Sequence, residues 1–98
     1  MDGSAGGGAM VEAYERFMEG SRLLASGDAH ATGTHRRARA EFAKALELDP
    51  VNDYAHFGMG LCLLRTGERA QARGHLKLAA AMRPEAQAYR DALAAAGA

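Results

Sequence analysis

The chain lacks tryptophan, has one cysteine and two prolines in 98 residues, and carries only three phenylalanines and three tyrosines. The single cysteine, Cys62, excludes an internal disulfide and fits a reducing compartment. There is also no surplus of charge, because twelve basic and twelve acidic residues cancel. No overall field therefore draws the chain to nucleic acid or to an anionic membrane. No apolar run approaches the ~18 residues that a membrane-spanning helix needs. The opening MDGSAGGGAM has neither the basic nor the apolar region of a secretory signal. These absences point to the cytoplasm. Residues 1–9 read as a flexible Gly-rich tail and residues 10–98 as the folded domain.

What is present in quantity is alanine, with leucine and methionine, a composition suited to closely packed helices. Within it lies an internal repeat. Tyr14–Asp28 (YERFMEGSRLLASGD) and Tyr54–Glu68 (YAHFGMGLCLLRTGE) share the pattern YxxFxxGxxLLxxG followed by an acid, at a constant offset of 40. Further on, Ala38–Pro50 (ARAEFAKALELDP) and Ala72–Pro84 (ARGHLKLAAAMRP) correspond at an offset of 34. The first unit therefore carries six extra residues within 29–37, read here as a longer connection that leaves the core untouched.

Each unit has two halves with apolar residues at three- and four-residue spacing, such as Tyr54, Phe57, Leu61 and Leu64, which is helical periodicity. Gly27 and Gly67 follow the first helix, where a C-terminal cap favours glycine. Pro50 and Pro84 close the second helix. Repeat 1 spans about 11–50, repeat 2 about 51–84, and a capping helix about 85–96 carries Tyr89 and Leu93. Five helices are expected, with no strands. Gly58 and Gly60 interrupt one of them, although glycine costs about 1 kcal/mol relative to alanine inside a helix. Gly60 recurs as Gly20, which suggests a close crossing; Gly58 aligns with Met18 and is not a repeated feature.

A 34-residue helix–turn–helix unit with small residues at fixed places and the ending ALELDP resembles the tetratricopeptide repeat. In the second unit Met59, Gly60, Leu63, Gly67, Ala72, Leu76, Ala79 and Pro84 stand at the family's positions. In the first, Gly20, Leu23, Gly27, Ala38, Phe42, Ala45 and Pro50 do. Arg16 and His56 replace the aromatic residue usual near the start of the first helix. The resemblance implies an all-α fold of antiparallel helix pairs, stacked as a short right-handed solenoid. It also implies a non-enzymatic scaffold or adaptor whose first helices line a groove for a partner's peptide or helix. The groove positions are Tyr14, Phe17, Ser21 and Leu24, then Tyr54, Phe57, Leu61, Leu64 and Arg65. Phe17, Ser21 and Gly58 stand where one subclass of the family grips a carboxylate with polar side chains. The implied partner segment is therefore apolar or aromatic. The alternative is that the aromatic strip is covered in a homodimer, as a self-association module.

No catalytic pattern, metal set, cofactor motif or phosphate loop stands out. His30 and His35 are five apart, wrong for two ligands on one helical turn, and read as solvated loop histidines. His56 and His75 fall in different helices. Cys62 lies within an apolar helix and reads as a small core residue rather than a nucleophile. The basic stretch His35–Arg39 has no interleaved aromatics and reads as the solvated start of a helix, not a nucleic-acid platform.

Overall fold

The computed structural model describes residues 4–25 and 31–97, with the side chains of 4–7, 9, 10, 20, 21, 23–25, 31 and 32 outside the described set. Among the described residues there are five helices and no strand: α1 (Ser4–Ala25), α2 (Ala31–Leu48), α3 (Asp53–Arg65), α4 (Arg69–Met82) and α5 (Gln87–Ala95). The most extensive contacts join α1 to α2 and α3 to α4, and α2 and α4 each lead onto the next helix. Contacts of α1 with α3, and of α3 with α5, place these three helices in one layer. The result is a helical repeat solenoid of two hairpins and a closing helix.

Local chemistry sets the helix ends. The Asn52 side chain accepts a hydrogen bond from Ala55 N at 3.0 Å, satisfying a donor that would otherwise be orphaned at the start of α3. At the other end Gly67 N donates to Leu64 O and Glu68 N to Leu63 O. This paired closure requires the left-handed backbone that Gly67 adopts, with φ +83°. α2 and α4 each stop two residues before a proline, Pro50 and Pro84, which can neither donate to nor continue a helix.

Both interrupting glycines have a steric reason. A Cβ on Gly60 would lie 2.5 Å from Leu76 Cγ and 3.3 Å from the carbonyl of Ala72, so α3 and α4 cross at its bare backbone. A Cβ on Gly58 would lie 2.2–2.5 Å from the ring of Phe42, which is fully buried. Gly58 is thus the socket for a side chain from the preceding unit. The same relation recurs one unit on, where Leu76 stands 34 residues after Phe42 and Ala92 stands 34 after Gly58, in one buried cluster. Comparing equivalent residues hid this, because the partners of a contact between units are not equivalents.

Two boundaries differ from the sequence reading. Helix α1 begins at Ser4, six residues before the expected start at Met10. Once a helix is nucleated, each further residue adds a hydrogen bond, and Gly8 enters α1 without packing against anything within 4 Å. The six extra residues of the first unit also do more than lengthen a connection. Four of them extend α2, which starts at Ala31 where strict equivalence with Arg69 would give His35.

His35 is accordingly not a solvated loop residue: it is 1% exposed, with its ring centroid 5.7 Å from that of Phe17. The ring of Phe17 faces it from across the hairpin. Thr34 beside it is also buried. His30 and Gly27 lie outside the described residues.

Two apolar clusters result. One gathers Ala13, Phe17, Ala38, Phe42, Ala55, Met59, Cys62 and Leu63 across both hairpins. The other joins Leu76 to Ala92 and Ala96. Leu61 and Leu64 pack against both.

Candidate functional site

The layer of α1, α3 and α5 carries a continuous row of rings. Tyr14 on α1 lies 5.2 Å from Tyr54 on α3, Tyr54 is 6.5 Å from Phe57, and Phe57 is 4.6 Å from Tyr89 on α5 (centroid distances). Such separations suit the offset and tilted packing that aromatic quadrupoles favour. Tyr14, Tyr54 and Phe57 are half-buried, presenting part of each ring to the surface. One helical turn beyond Phe57, Leu61, Leu64 and Arg65 join Ala92 and Ala95 of α5 around a cleft of about 270 Å³. The leucines are half-buried and Arg65 is exposed at the rim.

This arrangement brings Tyr14, Tyr54, Phe57, Leu61, Leu64 and Arg65 onto one face. Phe17 does not join them. It is 4% exposed, turned into the core, with its ring centroid 5.7 Å from that of His35 on α2 and 6.3 Å from that of Tyr14. Ser21 and Leu24 lie on α1 with side chains outside the described residues.

Tyr89 was missed as a member of the row because the closing helix read only as a cap. The available signal was that an A-type helix of a third unit would begin there, 34 residues after α3. Tyr89 is anchored: its hydroxyl donates to Asp53 Oδ2 at 2.7 Å, and Arg83 Nε donates to the same oxygen at 2.9 Å. The Arg83 hydrogen bond holds the Asp53 carboxyl below its ordinary value of 3.8, against the opposing effect of burial. Burial, then the hydrogen bond to Asp53, pushes the Tyr89 phenol well above its ordinary range. Burial, with Tyr14 nearby, pushes Tyr54 up to about 12. Both phenols therefore stay neutral at physiological pH, with the Asp53–Arg83 pair against Tyr89 and Arg65 at the rim of the cleft.

The remaining chemistry-bearing residues lie elsewhere. Cys62 is fully buried, and burial pushes its thiol up to about 12, so it stays protonated at neutral pH. In the basic stretch, Arg39 pairs with Glu68 at 2.7 Å while Arg36 and Arg37 are exposed. Among the described residues, no group of three or more His, Cys, Asp or Glu could hold a metal ion. No described helix is long and apolar enough to cross a membrane.

A family model described as tetratricopeptide repeat matches residues 29–96, well over half of the chain and all of α2 to α5. The chain belongs to the tetratricopeptide repeat family. No curated protein matches it. Repeats of this family generally mediate protein–protein interaction.

Proposed function

We propose that the chain is a non-enzymatic adaptor that binds an apolar or aromatic segment of a partner protein along the face of α1, α3 and α5. The cleft bounded by Leu61, Leu64, Arg65, Ala92 and Ala95 carries this reading. At about 270 Å³ it falls below the ~300–1,000 Å³ of small-molecule sites. A single large apolar side chain fits it better, as an anchor for a segment whose other residues lie on Tyr54 and Phe57. The apolar side chains of Leu61, Leu64, Ala92 and Ala95 favour an apolar occupant over an acidic tail.

Selection of peptides from a random library against the native chain tests this, with Leu64→Asp as the comparison. Enriched peptides should carry aliphatic or aromatic anchors, bind Leu64→Asp at least about tenfold more weakly, and shift the NMR signals of Tyr54, Leu61 and Arg65. Equal binding to both chains would refute the reading. Phe17→Ala is a poor probe, since it opens the core rather than the groove.

Self-association is the second reading, favoured by Val11 and Met18, which are 56% and 48% exposed one above the other on α1. A mass measurement across a concentration series separates the two. A dimer abolished by Met18→Glu supports the second reading, and a monomer throughout rejects it.

A further inference from the structure

Two histidines from different helices meet on the side of α3 that faces α4. The carbonyl of Pro50 can only accept, so His56 Nε2, 2.9 Å away, carries a proton and donates it. In a neutral imidazole the other nitrogen then holds a lone pair. His56 Nδ1 lies 3.0 Å from Nδ1 of His75, so the proton between them belongs to His75. The ring centroids are 5.3 Å apart, as far as a 3.0 Å nitrogen contact allows. Each Nδ1 therefore points straight at the other. That is the geometry of a shared proton; two ligands of one metal ion would converge on a common point instead.

The surroundings leave this proton without help. His56 is 7% exposed, and His75 is half-buried at the edge of an open cleft with Gln71, Gly74 and Leu78. In the turn after α2, Asp49 accepts from Val51 N. On α3, Asp53 is occupied by Arg83 and by Tyr89 of α5. On α4, Arg73 donates to Gly97 O and Lys77 is exposed. No carboxylate among the described residues bonds to either ring.

We propose that the His56–His75 bridge is a proton-sensitive latch: the one proton between the rings fastens α3 to α4 near neutral pH and acid releases it, while His56 Nε2–H keeps α3 tied to the turn at Pro50. A first added proton goes to His75 Nε2, keeping the bridge but leaving a half-buried cation without a counter-ion. A second must go to His56 Nδ1, so that two N–H groups face each other and the bridge breaks. The unfolded chain leaves the His75 ring solvated, and it takes up its proton near the ordinary histidine value of about 6.5. In the folded chain burial, with His56 alongside, holds His75 below its ordinary 6.5. The latch therefore contributes fully above about pH 6.5, and its contribution falls as the pH drops from there toward the folded value.

Urea unfolding of the full chain at about pH 7.5 and about pH 5, beside His75→Gln, tests the latch over the range in which histidine titrates. The glutamine amide can still donate to His56 but takes up no proton. The native folding constant should fall severalfold more between these two conditions than that of His75→Gln, since the proton linked to His75 makes the constant pH-dependent between its unfolded and folded values. Parallel pH dependences overturn the proposal. If His75→Gln does not fold, NMR of the imidazole nitrogens of the native chain decides. His56 as the Nε2–H tautomer and His75 as the Nδ1–H tautomer, titrating below about 6.5, supports the latch. The opposite tautomer at either ring, or titration of His75 at or above that value, overturns it.

Discussion

Met18 on α1 and Gly58 on α3 occupy the same place in the two units, yet Met18 is 48% exposed and Gly58 is buried without a side chain. The difference lies in what precedes each helix. α3 follows a unit whose Phe42 needs a socket, and Gly58 provides it. Among the described residues no such ring lies against Met18, which stands exposed. The units also differ at their crossings. In the first, His35 packs on Phe17 within an extended α2; in the second, His56 bonds to His75 between shorter helices. The repeat thus fixes where backbones cross, while neighbours decide which side chain each crossing accepts.

The largest test of that contrast removes the knob. Phe42→Ala should destabilise the fold by about 3–5 kcal/mol in urea unfolding, the range for a deleted core aromatic. Next comes the socket. Gly58→Leu should cost about 1–3 kcal/mol by overpacking, whereas Met18→Leu at the equivalent place should stay within ~0.5 kcal/mol. Adding Phe42→Ala to Gly58→Leu should cost less than the sum of the two, because the contact is mutual; strict additivity would show that ring and glycine do not form one joint.

Smaller again is Gly67→Ala, which forces a Cβ onto left-handed backbone at roughly 1–2 kcal/mol. Its thermal midpoint should drop, and an unchanged midpoint would mean that the turn relaxes. The smallest effect belongs to Asp53, whose ion pair is partly solvated and so weakened by water. Its carboxyl is held below 3.8 in the fold, chiefly by Arg83. Its contribution is complete above that value and is lost as the pH falls through it. Asp53→Asn should flatten the acid limb of a stability–pH curve, and an unaltered limb would count against the shared contact.

The readable parts of this molecule are those that sequence periodicity carries. Helix spacing, the Gly67 cap, the prolines after α2 and α4 and the Gly60 crossing all depend on residues close in sequence or repeated in register. Tyr54, Phe57, Leu61, Leu64 and Arg65 fall on one face of α3 by helical spacing alone, so their placement together was legible. Phe17 lies in the core instead, because its environment is set by His35 on the facing helix rather than by spacing along its own. The Phe42–Gly58 and His56–His75 contacts join residues 16 and 19 apart in different helices. Only the way the helices cross brings those residues together, and no spacing rule encodes that.

Leu61 and Leu64 belong to both apolar clusters and also line the open cleft. The surface offered to a visitor is therefore the outer side of the molecule's own keystone. On the proposed reading, a side chain seated there would touch the hairpin core and the closing helix at once.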